Sequence, residues 1–132
     1  MGGYGALKCA LTAPQQYAGA AGFSSVADIK AKLPTFSRWH EDQALFSGGV
    51  VPPEGDLFTL ATRFLPDGTQ KGRMPEVFLA CGQQDGLFAD NLRLRDHLRG
   101  MDWPLTWYEA PGDHNWFFWN DALTRAMEHF LG

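Results

Sequence analysis

The sequence predicts an α/β layer fold in which parallel strands are covered by helices. Three observations carry that expectation. Residues 77–81 (Val-Phe-Leu-Ala-Cys) form a continuous apolar run between Pro75 and Gly82, as expected of a strand covered on both faces. Trp119, Leu123, Met127 and Phe130 recur at helical spacing near the end of the chain. Between and around them, helical and strand-like segments alternate, the pattern of a parallel sheet with crossover helices.

In chain order, residues 1–13 read as a helix. Ala6, Leu7, Lys8, Ala10 and Leu11 follow a glycine cluster, and Pro14 ends the run. Gly2, Gly3 and Gly5 are poor helix residues, so a tight turn and a close helix–strand approach explain them better. Residues 17–25 are small and read as a short, fully buried strand. Residues 28–44 are amphipathic but broken at Pro34, and Gly48 to Pro53 form a loop. Asp56 is an N-cap candidate for a helix over 56–64, ended by Pro66-Asp67-Gly68. The stretch 26–70 falls outside a regular βα repeat and is expected to contribute a lid or cap. Residues 87–98 read as a helix ended by Gly100, and 105–109, rich in Thr, Trp and Tyr, as a strand. The apolar stripe from Trp119 makes the last segment an amphipathic helix.

At 132 residues the chain is at most one domain. Its formal charge of −4, with no basic cluster, argues against nucleic-acid or anionic-membrane partners. No apolar stretch approaches the roughly 20 residues of a membrane span. Cys9 and Cys81 lie in apolar settings and read as buried free thiols in a reducing, cytoplasmic compartment. Their spacing fits no zinc motif.

Two positions stand where a parallel sheet places ligands, at strand carboxyl ends. Asp85 follows the 77–81 strand. It can accept from the Nδ1–H of a histidine, fixing its tautomer and stabilising an imidazolium. It can equally be a turn residue of the Asp85-Gly86 pair. His114 follows the 105–109 strand through Ala110-Pro111-Gly112, and an imidazole is the side chain suited to proton transfer near neutrality. The bland alternative is a surface histidine stacked on Trp116. His97 and His129 lie in helices, where a solvated role is expected, and His40 stands beside Trp39 in the irregular stretch. Asp113 as a metal ligand lacks companions at ligand spacing, so no metal and no cofactor are expected. Trp116, beside the histidine loop, is a candidate to line a substrate pocket.

Met1-Gly2-Gly3-Tyr4-Gly5 reads as the latter part of a G-x-S-x-G nucleophile elbow. Its serine would be the residue just before Met1, which is not in this sequence. The order (Ser)…Asp…His is that of the α/β-hydrolases. Met1 to Lys8, the segment Ala80-Cys81-Gly82-Gln83-Gln84-Asp85 with Leu87 and Asn91, and Pro111 to Trp119 together resemble the C-terminal half of the esterase D-like family, especially its tributyrin and acetyl esterase members.

The resemblance implies that residues 1–132 are the C-terminal portion of a single α/β-hydrolase domain. It implies Asp85 as triad acid and His114 as base, with the Met1 backbone N–H in the oxyanion hole. It also implies carboxylic-ester hydrolysis of short-chain acyl or aryl esters, with a small-molecule ester as partner. With the serine and the upstream strands outside this sequence, the chain alone is expected to be inactive. The strand edge left unpaired invites self-association. A noncatalytic, hydrolase-derived interaction module is the alternative.

Overall fold

A computed structural model describes residues 1–36, 45–63 and 74–132. Three parallel strands, β1 (Gly19–Phe23), β2 (Glu76–Gly82) and β3 (Leu105–Ala110), form a sheet in that spatial order. The register sets Ala21 against Phe78 and Leu79 against Trp107. The fold is a parallel α/β sheet flanked by helices.

Helix α1 (Gly2–Thr12) precedes the sheet and packs on β1. Its glycines have the expected cause. A Cβ on Gly3 would meet the Ser25 Oγ at 2.2 Å, and one on Gly22 the same atom at 2.5 Å. Both backbones therefore close on Ser25 only because neither residue carries a side chain.

Two short helices follow β1. The Asp28 carboxylate accepts from the Ala31 N–H at 3.1 Å and caps α2 (Ile29–Lys32), and a 3-10 turn over Leu33–Thr35 carries Pro34. Further 3-10 turns over Ser47–Gly49 and Pro53–Gly55 occupy the predicted loop. Asp56 caps α3 (Leu57–Thr62) as expected, accepting from the Phe58 N–H at 3.3 Å. The predicted turn at Pro66-Asp67-Gly68, residue 64 of the predicted helix, and His40 lie outside the described residues. Helix α4 (Phe88–Gly100) crosses from β2 to β3, and α5 (Trp116–Leu131), capped by Asn115, ends the chain.

Side chains alternate across the sheet and divide the core in two. Val77 and Leu79 point toward α1, α2, α3 and α4, whose Leu7, Leu11, Ile29, Leu33, Leu57, Leu60, Leu94 and Leu98 join them. Phe78 and Ala80 point the other way, onto Phe118, Ala122 and Ala126 of α5.

Five expectations change. β1 is half-buried rather than fully buried, because it forms an edge of the sheet among the described residues. The described parts of 26–70 are not a separate lid. Val26, Ala27, Ile29, Leu33, Leu57, Leu60 and Ala61 belong to the larger core, and the Tyr4 hydroxyl donates to the Gly55 carbonyl at 2.6 Å. On α5 Phe118, Ala122 and Ala126 are buried against the sheet and Trp119 and Phe130 of the predicted stripe pack against the same cluster, while Leu123 and Met127 are about half exposed (48% and 51%). Small alanines let the helix lie close to the sheet and leave Leu123 and Met127 on its outer side. Cys9 is exposed on α1, whereas Cys81 is buried in β2; both are free. His97 and His129 are not merely solvated: their Nε2 atoms lie 2.9 Å from the Phe58 carbonyl and 2.8 Å from the Glu76 carboxylate.

Candidate active site

The carboxyl ends of β2 and β3 bring Asp85 and His114 together. Asp85 Oδ2 lies 2.9 Å from His114 Nδ1, with the Asp85 side chain 2% exposed and the His114 side chain 50% exposed. The other carboxylate oxygen, Oδ1, accepts from the Leu87 N–H at 2.9 Å and holds the turn into α4. Asp85 is thus both a turn residue and the partner of a histidine, so the two sequence readings are not exclusive. Burial on one side and bonds to both oxygens fix the carboxylate, and the carboxylate in turn fixes one ring nitrogen of His114. Proton transfer at the opposite nitrogen is the chemistry such a pair supports.

Two features that sequence reasoning passed over bring the loops into register. Gly82 has no room for a side chain: a Cβ there would meet the Gly112 carbonyl oxygen at 2.4 Å. Gln84 then binds Gly112 twice, its backbone N–H donating to the Gly112 carbonyl at 2.9 Å and its Oε1 accepting from the Gly112 N–H at 2.7 Å. The Cys81-Gly82-Gln83-Gln84-Asp85 string therefore aligns the histidine loop as well as delivering the acid. A glycine next to paired amides at a strand end was the available signal.

Asp113 turns inward on its own loop, with Oδ1 accepting from the His114 N–H at 2.7 Å. Among the described residues there is no group of three or more His, Cys, Asp or Glu side chains that could hold a metal ion. The aromatic neighbour of His114 is Trp119, not Trp116: the rings are perpendicular with centroids 4.8 Å apart, and Trp116 packs on the far ring of that pair at 5.3 Å. Trp116 is 71% exposed. His114 faces a cleft of about 440 Å³ that Met1, Phe23, Ser24, Trp116 and Trp119 also line. Met1 thus stands at the N-terminal end of α1, on the same cleft as the histidine.

Ser24, at the end of β1, carries no local signal that would single it out. It is 2% exposed, has a left-handed backbone (φ 46°), and accepts from the Trp119 Nε1–H at 3.0 Å. Below it, burial first and the Asp85 charge second push the Cys81 thiol up to about 12, so Cys81 stays neutral and inert beside the site.

A parallel α/β sheet thus brings a buried aspartate and a half-exposed histidine together at its strand carboxyl ends. The chain is 28% identical to an acetyl esterase of Caldicellulosiruptor saccharolyticus over 97% of its own length and 50% of that protein's. Among solved structures it is similar to the S-formylglutathione hydrolase FrmB of Staphylococcus aureus (TM-score 0.83, 28% identity, all of this chain and 52% of that one). It is equally similar to FphF, a fluorophosphonate-binding serine hydrolase of the same organism (TM-score 0.83, 28% identity, 99% and 51%). A ferulic acid esterase shares the fold (TM-score 0.74, 21% identity, 98% and 46%). No protein-family profile matches the chain. The chain is therefore a relative of α/β-hydrolase-fold esterases and bears the resemblance of a serine-hydrolase-type enzyme. It spans about half the length of the relatives it matches. Among the described residues no helix is long and apolar enough to cross a membrane.

Proposed function

We propose that residues 1–132 are the C-terminal portion of an α/β-hydrolase domain that hydrolyses carboxylic esters, with His114 as general base, Asp85 as its orienting acid, and a serine just upstream of Met1 as nucleophile. The observation that carries this reading is the 2.9 Å His114–Asp85 pair, buried at the acid and open at the base, beside the N-terminal end of α1. The near-complete coverage of this chain against half of each relative supports the domain assignment.

The steps follow from the geometry. The serine hydroxyl attacks the ester carbonyl carbon while His114 Nε2 takes its proton. The oxyanion that forms is held by backbone N–H groups, that of Met1 among them. Collapse breaks the bond to the leaving oxygen or sulfur, which takes the proton from Nε2 and leaves an acyl-serine. Water then repeats the sequence, giving up a proton to Nε2, and the acid and the serine are released. Asp85 holds the imidazolium in place. Trp116 lines the acyl or alcohol side of the cleft. The names of the acetyl esterase and the S-formylglutathione hydrolase favour short acyl groups on an oxygen or sulfur leaving group. Ser24 shares the cleft, but its burial and its bond from Trp119 leave it poorly placed to attack.

Hydrolysis of p-nitrophenyl acetate tests the reading. The chain alone should show no rate above background, and joining it to a serine-bearing upstream half should restore turnover. In that assembly His114→Ala and Asp85→Ala should each lower kcat by about 10⁴-fold. His97→Ala and His129→Ala should not. Near-full activity in His114→Ala would refute the base and the reading with it.

The exposed Leu123, Met127 and Leu131 of α5 favour a second reading, a noncatalytic module that binds a partner. A monomer with no partner affinity in sedimentation would sink it.

A further inference from the structure

We propose that Trp119, anchored by Ser24, is a positioning residue that sets the plane of the His114 ring. The inference rests on the reading of Asp85 and His114 given above and deepens it.

Asp85 holds His114 at one atom, Nδ1. A single hydrogen bond leaves the tilt of a ring undefined, and this ring is half exposed. Trp119 supplies the second restraint. Its indole stands perpendicular to the imidazole at 4.8 Å, so the ring cannot swing toward it without collision. Two restraints, one at an atom and one against the ring, fix where Nε2 points.

A restraint works only if it is itself held. Trp119 lies in the first turn of α5, and its Nε1–H donates to the hydroxyl of Ser24, 95 residues earlier in the chain. Ser24 is held in turn. Its backbone N–H donates to the Ala80 carbonyl at 2.8 Å, and its side chain is buried. Its left-handed backbone is one that a non-glycine residue adopts only at a cost in strain. A glycine would adopt that backbone freely but would leave the indole N–H without its partner. The strain places the hydroxyl at the end of β1, within reach of Trp119. The path Ser24–Trp119–His114 thus ties the base to β1, while Asp85 ties it to β2.

Imidazole NMR of the chain, with Trp119→Phe, Trp119→Leu, Ser24→Ala and the Ser24→Ala/Trp119→Phe double variant, tests the path. Trp119→Leu should remove the ring-current displacement of the His114 protons, and Trp119→Phe should keep part of it. Ser24→Ala should shift and broaden both the Trp119 Nε1–H and the His114 ring signals. In the Trp119→Phe background, which has no indole N–H to anchor, Ser24→Ala should change His114 no further. A Ser24→Ala chain with unchanged His114 signals, or an additive double variant, overturns the proposal. The protected Nδ1–H signal of His114 reports separately on Asp85. If the wild-type chain lacks it, the dyad reading fails; if it is present while Ser24→Ala is silent, only the positioning role fails. In the assembly with a serine-bearing half, Trp119→Phe should lower kcat by roughly 10- to 100-fold with KM changed by less than about twofold. An equal loss through KM alone would overturn it.

Discussion

On the face of the sheet covered by α1, α2, α3 and α4, the leucines and Ile29 of four helices close over Val77 and Leu79 and leave almost none of their surface to water. On the opposite face, among the described residues, α5 covers Phe78 and Ala80 with Phe118, Ala122 and Ala126, flanked by Trp119 and Phe130, while Trp116, Leu123, Met127 and Leu131 stay exposed. One face carries its own core. The other is narrow and leaves a row of apolar side chains open to solvent. The candidate dyad straddles the two. Asp85 sits in the link from β2 into α4, on the sealed side, and His114 in the link from β3 into α5, on the open side. Acid and base therefore depend on differently supported parts of the molecule, and Gly82, Gln84 and Ser24 tie those parts together.

The largest effect expected from this difference is on stability. Leu79→Ala, in the central strand and fully buried on the sealed face, should cost about 2–5 kcal/mol in urea unfolding. A cost as small as that of a surface change would mean that the sealed face is not the main core. Gly82→Ala should cost less, about 1–3 kcal/mol, through overpacking against the Gly112 carbonyl. Because the clash is with backbone, it should also drive the two loops apart. The check is loss of the protected His114 Nδ1–H signal at a pH where the protein is still folded.

The sealed face was largely legible in the sequence. The 77–81 run, the helix over 87–98 and the Asp56 cap needed only periodicity and capping chemistry, which act locally. The open face was read less well. Of the stripe Trp119, Leu123, Met127 and Phe130, the first and last pack toward the sheet, but Leu123 and Met127 do not, because the buried side of the helix is centred on Ala122 and Ala126, whose small size carries no strong signal. At the site, Asp85 and His114 were visible because each follows a strand. Ser24 and Gln84 were not, since their roles depend on partners 95 and 28 residues away. Position after a strand is local information; a contact between loops is not.

A smaller, pH-dependent effect sharpens the account of the sealed face. Cys81 lies on that side of β2, and its thiol is held neutral up to about 12. In the unfolded chain the thiol ionises near its ordinary value of about 8.5. Between those values the folded state binds the extra proton, so stability falls as pH rises. The contribution is fully present below the unfolded pKa and is lost by the folded one. Relative to Cys81→Ala, the natural chain should lose up to about 1 kcal/mol per pH unit above pH 9. Urea unfolding of both proteins at pH 7, 9 and 10 checks it, because titrations common to the two cancel. A constant difference across that range would mean that Cys81 is not sealed from water. The exposed Cys9 should react with a thiol reagent at once in the folded chain, and Cys81 only after opening.

The smallest effect on stability is expected on the open face, and there the comparison can be broken most directly. Leu123 and Met127 are about half exposed and belong to neither core cluster. Replacing both with serine and glutamine should change the unfolding free energy of the chain by no more than about 0.5 kcal/mol per site. Side chains that fold nothing can still bind something, and association is where their loss should register. Exposed apolar residues favour contact with further polypeptide. The double variant should therefore sediment as a monomer at concentrations where the natural chain self-associates. It should also need a higher concentration of a serine-bearing upstream half to recover ester hydrolysis, with the same final rate once saturated. If it unfolds as readily as Leu79→Ala, the row belongs to the core after all. If its association and complementation are unchanged, the open face is covered by something other than the row of α5, and the asymmetry between the two faces has no bearing on assembly.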